Sequence, residues 1–102
     1  MQPKDRIREL KRVKASTLVH NEKNWRTHPV VQQQALQGVL EEIGYADALL
    51  VREDEDGRLV LIDGHLRANT TPEAEVPVLV LDVTEEEADL LLTTYDPLSS
   101  MA

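Results

Sequence analysis

The sequence contains no cysteine and no phenylalanine, and its aromatic side chains are one tryptophan and two tyrosines. Without cysteine there is no disulfide framework, no thiolate metal site and no cysteine nucleophile. That absence suits a reducing, cytoplasmic setting. Without phenylalanine, any core has to be built from Leu, Val, Ile and Ala, which the hydrophobic fraction of 41% permits. Long apolar runs are missing too. Met1-Gln2-Pro3-Lys4-Asp5 offers no apolar signal core, and nothing approaches membrane-spanning length, so no membrane partner is expected. Basic residues are scarce over most of the chain. Residues 27–102 hold three against sixteen acids, a net −13, while residues 1–26 hold eight against three, a net +5. An acidic body is poor material for phosphate neutralisation, so any contact with DNA falls to the basic segment 4–14. Alternatively, Lys4, Arg6, Arg8, Lys11, Arg12 and Lys14 simply solubilise an edge strand.

What is present fits one domain over residues 1–102, of α+β class. Residues 1–6 are polar and expected to fray. Ile7, Leu10 and Val13, followed by Ala15-Ser16-Thr17-Leu18-Val19, read as a first strand. Asn21 to Pro29 is a loop rich in turn formers. Val30, Val31, Ala35, Leu36, Val39, Leu40 and Ile43 then fall on one face at helical period. Thr27 or His28 can cap this helix, Pro29 suits its first turn and Gly44 its C-terminal end. Leu49–Arg52 and Arg58–Ile62 flank Glu53-Asp54-Glu55-Asp56-Gly57 as a hairpin with a solvated acidic turn. Val76 to Val83 reads as a near-continuous apolar strand buried on both faces. Thr84-Glu85-Glu86-Glu87 is a capping box opening a helix through Tyr95, with Asp96-Pro97 as its break. Residues 97–102 read as the start of a further segment.

The densest chemistry lies in Leu61-Ile62-Asp63-Gly64-His65-Leu66-Arg67-Ala68. Here an apolar strand ends at a carboxylate and a glycine, and a short helix, about Gly64 to Thr70, follows. A glycine turn entering a helix can bring backbone N–H groups to an anion, and Arg67 adds a planar charged fork. As a plain turn, the same residues need do no more than reverse the chain.

This order of elements, with these residues, resembles the N-terminal domain of the ParB partition-protein family, which shares its fold with sulfiredoxin. Five features carry the resemblance: the loop with Asn24-Trp25-Arg26; the helix ending in Gly44; the Leu49-Leu50-Val51 strand; the Gly64-His65-Leu66-Arg67 turn; and Val76-Pro77-Val78-Leu79-Val80. The resemblance implies a small mixed sheet of about four strands with three helices. It also implies a nucleotide site, since the family's Gly-x-x-Arg turn binds the phosphates of CTP in ParB proteins and of ATP in sulfiredoxin. On that reading Gly64, His65 and Arg67 contact phosphate, and Asp63 orients the turn or holds Mg2+ through water. Trp25, Arg26, Thr27 and His28 line the opposite wall, with Trp25 offering a stacking face.

The departures narrow the expectation. Partition proteins usually have Glu and Arg where this chain has His65 and Leu66, a difference that argues against CTP hydrolysis and weakens phosphate binding. Sulfiredoxin chemistry needs a cysteine in the turn, so that activity is excluded. The Gly-His-x-Arg version resembles a branch labelled "ParB-like nuclease", found in phage-like or mobile-element proteins and beside DNA methyltransferases. A nuclease would use Asp63 and His65 as candidate catalytic residues, with Glu73, Glu75 or Asp82 as a further metal ligand. A third reading is an interaction domain with a degenerate pocket, partnering a methyltransferase or a second copy of itself.

Overall fold

Apolar side chains at alternate positions of three short strands set the architecture. The structure, a computed structural model, describes residues 1–21 and 30–99, with side chains as far as residue 94. Its strands are β1 (Ile7–Lys14), β2 (Leu49–Glu53), β3 (Leu59–Asp63) and β4 (Glu75–Leu81), and its helices are α1 (Val30–Glu42), α2 (His65–Thr70) and α3 (Glu85–Ser99). They form one sheet in the order β1-β4-β2-β3. β1 runs antiparallel to β4, β4 parallel to β2, and β2 antiparallel to β3. This is the expected α+β fold, with four mixed strands and three helices.

In register, Val78 lies beside Leu49 and Val80 beside Val51, while Val51 faces Leu61. Side chains of matched strand residues share a face. Leu49, Val51, Leu61, Val76, Val78 and Val80 are accordingly buried together, with Ala15, Leu18 and Ala68 completing the cluster. Leu50 pairs with Asp63 and Val51 with Leu61, which leaves Ile62 as the extra residue of a bulge. The bulge lies immediately before the Gly64 turn. Ile62, Ala88 and Leu92 are buried outside the main cluster, where α3 packs against β3.

Three expectations need correction, and the expected helix α1 forms with its apolar face largely uncovered. β1 stops at Lys14, because Ala15–Thr17 turns as a single 3-10 turn whose Ala15 and Ser16 amides donate to the carbonyls of Ala74 and Pro72. β4 ends at Leu81 and is fully buried on one face only, since α3 covers β3 and leaves Pro77, Leu79 and Leu81 half-exposed. No residue of α1 is buried, and Val31 and Ile43 are 76% and 71% exposed. Helical period reveals an apolar face but not what lies against it, and the main neighbour of α1 among the described elements is α2. Finally, α3 runs through Pro97 to Ser99. In a last turn the missing proline amide forfeits one hydrogen bond and need not end the helix.

The capping box at the start of α3 forms as expected. Glu87 N–H donates to Thr84 Oγ1 at 3.1 Å, and Thr84 N–H donates to Glu87 Oε1 at 2.9 Å. Glu87 also accepts both Nη groups of Arg6, at 2.8 and 3.2 Å. Together these donors hold its carboxyl down at about 2, with Arg6 the largest cause. Arg6 is therefore anchored rather than frayed. Its Nε donates to the Asp82 carbonyl, and its own carbonyl accepts the Asp82 amide.

Candidate phosphate-binding turn

β3 delivers Asp63 to the edge of the turn, and Gly64 reverses the chain with φ +101° as the residue before α2. That backbone conformation favours glycine. Packing imposes a second requirement: a Cβ on Gly64 would stand 2.5 Å from Leu49 Cδ2. Glycine is thus needed here because the turn presses onto a core leucine, a reason the sequence did not display.

His65 does not face outward. It is 8% exposed, and its Nε2 accepts the Asn21 backbone N–H at 3.2 Å. An accepting Nε2 carries no proton. The ring also meets His20 edge to face, with centroids 5.4 Å apart. Asn21 follows the short bridge in which Val19 pairs with Val60, so His65 fastens the segment after β1 to the turn. At the first position of α2 the ring thus makes a contact within the fold.

Arg67 folds back over the glycine. Its Nη2 lies 3.1 Å from the position a Gly64 Cβ would take, and its Nη1 donates to Asp47 Oδ2 at 2.8 Å. The arginine side chain is 19% exposed and that of Asp47 is 74% exposed. Arg67 holds the Asp47 carboxyl below its ordinary value, helped by the Ala48 amide and opposed by partial burial. The Arg67 main chain is fixed independently of its side chain. Its carbonyl lies 3.0 Å from the Tyr45 hydroxyl and 3.1 Å from that of Thr71, and the two hydroxyls are 2.6 Å apart. Tyr45 thereby ties the segment after α1 to the end of α2.

Asp63 is half-buried and, among the described residues, its carboxylate enters no hydrogen bond or ion pair. The three further ligands considered for a nuclease lie elsewhere. Glu73 pairs with Lys14 at 3.0 Å, and Asp82 is engaged through its backbone with Arg6. Asp63 and Leu79 both flank Leu50 in the sheet register. Glu75 is four residues along β4 from Leu79 and Asp82 three, which at strand rise is about 13 and 10 Å. Among the described residues no group of three His, Asp or Glu side chains is placed to hold a metal ion. Trp25, Arg26, Thr27 and His28 lie outside the described residues.

The basic N-terminal segment is partly neutralised from within. Arg6 pairs with Glu87, Arg8 with Glu9 and Glu53, and Lys14 with Glu73. Among the described residues Lys4, Lys11 and Arg12 enter no ion pair, and as neighbours on β1 Lys11 and Arg12 point to opposite faces. Sequence reasoning missed Asp47, Tyr45, Thr71 and Asn21. Asp47 lies 20 residues from Arg67, Asn21 44 from His65, and no local pattern joins such distant positions. No described helix is long and apolar enough to cross a membrane.

No family model matches the sequence, and no curated protein matches it. Solved structures do. The C-terminally truncated chromosome-partitioning protein ParB from Caulobacter crescentus, complexed with CTP-gamma-S, superposes with a TM-score of 0.74 at 18% identity over 86% of this chain. Sulfiredoxin from Arabidopsis thaliana gives 0.67 at 14% identity, covering 82% of this chain and 97% of its own. The chain has the ParB/sulfiredoxin fold. A Pnob8-like ParB-N domain agrees, with a TM-score of 0.69 and 21% identity over 86% of this chain. This chain spans about half the Caulobacter protein (52%) and 37% of the Pnob8-like one, so the shared fold corresponds to one part of those ParB chains.

Proposed function

We propose that this chain is a ParB-like module that binds the phosphates of a nucleoside triphosphate at the Gly64–Ala68 turn and does not hydrolyse them. The observation that carries the reading is the position of Arg67. Its guanidinium lies over the glycine turn, kept in place by limited exposure, and its ion pair is with a single solvent-exposed carboxylate. A planar guanidinium over a glycine turn is suited to a charged, oxygen-rich ligand. The Caulobacter ParB of the same fold was crystallised with CTP-gamma-S, which makes CTP the first nucleotide to try and ATP the second.

Gly64 gives the turn its shape, Arg67 supplies the charge, and Asp63 is available to hold Mg2+ through water. His65 is a framework residue. The absence of hydrolysis follows from Leu66 and His65, neither of which offers a free acid or base to an attacking water. DNA is the secondary partner, supported by the Caulobacter ParB complexed to the centromeric parS site. Here it would be held through Lys4, Lys11 and Arg12 and would be strongly salt-dependent.

Isothermal titration with CTP, ATP and GTP in the presence of Mg2+, on the wild type and on Arg67→Ala, tests the reading. Binding that is lost in Arg67→Ala supports it. No binding of any of the three by the wild type refutes it.

A further inference from the structure

Asp47 stands where a ligand of Arg67 would stand. Its Oδ2 accepts Nη1 of Arg67 at 2.8 Å, a charge-assisted bond of the kind a phosphate oxygen would make. We propose that Asp47 is an internal competitor for the anion site, and that a bound phosphate displaces its carboxylate from the Arg67 fork. The proposal rests on Arg67 as the phosphate-binding group and adds to it a residue that sets the affinity threshold.

Several features fit a displaceable contact rather than a permanent strut. The pair is made through one nitrogen and one oxygen, so the fork geometry of a bidentate pair is not used. The two partners also differ in exposure. Asp47 is 74% exposed and can turn into water at little cost, whereas Arg67, at 19%, stays where it is. The other Asp47 oxygen accepts the Ala48 N–H at 2.7 Å, which keeps the carboxylate close to the site after release.

Opening the contact also leaves the fold intact. α2 is tied down through the Arg67 carbonyl by Tyr45 and Thr71, and through Ala68 N–H to the Gly64 carbonyl at 3.0 Å, none of which involves the guanidinium. Competition of this kind has a chemical consequence. A carboxylate of single charge is displaced readily by a polyphosphate and poorly by a monoanion. The site should therefore favour triphosphate over monophosphate and should ignore carboxylate metabolites.

The test is titration calorimetry at low salt with CTP–Mg2+ and with inorganic triphosphate as probes. The proteins are the wild type, Asp47→Asn, Asp47→Ala and Asp47→Ala/Arg67→Ala. An exposed ion pair of ordinary strength predicts about 1.5- to 5-fold tighter binding in both single Asp47 variants, and loss of binding in the double variant. A second readout uses the low carboxyl titration of Asp47 that Arg67 maintains. In carbon-detected NMR, saturating triphosphate should raise the Asp47 titration, though not fully to the ordinary aspartate range, because the Ala48 amide still donates to it. Equal affinity in wild type and both Asp47 variants overturns the competitor while leaving the nucleotide reading intact, as does an Asp47 titration unmoved by saturating ligand. No binding by any of the four proteins overturns the nucleotide reading, and the competitor falls with it.

Discussion

Replacing Gly64 with alanine separates two costs that the geometry predicts. At φ +101° an alanine adopts a left-handed conformation, a strain of about 1–2 kcal/mol. Its Cβ would also stand 2.5 Å from Leu49 Cδ2 and 3.3 Å from Leu49 Cβ. Leu49 is fully buried between β3 and β4, so its methyl group cannot swing away without repacking Val78 and its neighbours. Overpacking of this kind costs about 1–3 kcal/mol. Gly64→Ala should therefore destabilise by about 2–5 kcal/mol, a large share of the ~5–15 kcal/mol that holds a domain folded. Gly57→Ala provides the control. Gly57 has φ +79°, and nothing lies within 4 Å of an added Cβ, so it carries the backbone strain alone. Urea unfolding at constant m should place the Gly64→Ala midpoint well below that of Gly57→Ala, by on the order of 1 M at m values of about 1–3 kcal/mol/M. Equal midpoints would refute the packing argument and leave Gly64 as an ordinary turn glycine.

Other predictions follow from single contacts. His65→Ala should cost about 2–3 kcal/mol, from a buried ring and its bond to the Asn21 amide, whereas exposed His20→Ala should be nearly silent; thermal unfolding distinguishes them. Tyr45→Phe should cost about 0.5–1.5 kcal/mol through the hydroxyl shared with Thr71 and Arg67, measured by urea unfolding. Glu87, held at about 2 against an ordinary 4.5, should add stability in full above pH 4.5 and lose it as pH falls towards 2. Arg6→Ala should raise its NMR titration midpoint, yet not fully to 4.5, because Thr84 still donates to it. Any DNA binding through Lys4, Lys11 and Arg12 should show a log–log salt slope of about −3, and a slope near −6 would mean that the internal ion pairs open on binding.

The legible parts of this fold are those written in local patterns. Asp-Gly between two β-prone runs marked the hairpin, and Asp54 organises that turn by accepting the amides of Asp56 and Arg58. The Thr84–Glu87 box and the positive-φ glycines at positions 44, 57 and 64 also lay where the residues pointed. Contacts between distant residues could not be read in this way. The amphipathic pattern of α1 is real, yet only Leu36 and Leu40 of its apolar stripe are half-buried and the rest is exposed, since periodicity fixes a face and not a neighbour. At the candidate turn, Gly64, Arg67 and Asp63 are legible from residue type and spacing as a strand–glycine–helix junction. Asp47 was one acid among sixteen in the acidic body, and only the fold singles it out. His65 reads as chemistry in sequence because histidine is versatile. In the fold it is buried and accepts the Asn21 amide.

The central claim is that a nucleotide's phosphates bind at the Arg67-covered turn. Titrating CTP–Mg2+ into the isotope-labelled protein while following backbone amides and the arginine Nε–H groups by NMR tests it most directly. The account predicts the largest shifts at Gly64 to Ala68, at Arg67 Nε–H and at Asp47, saturating together. Shifts confined to other parts of the sheet, or none at millimolar nucleotide, would contradict it.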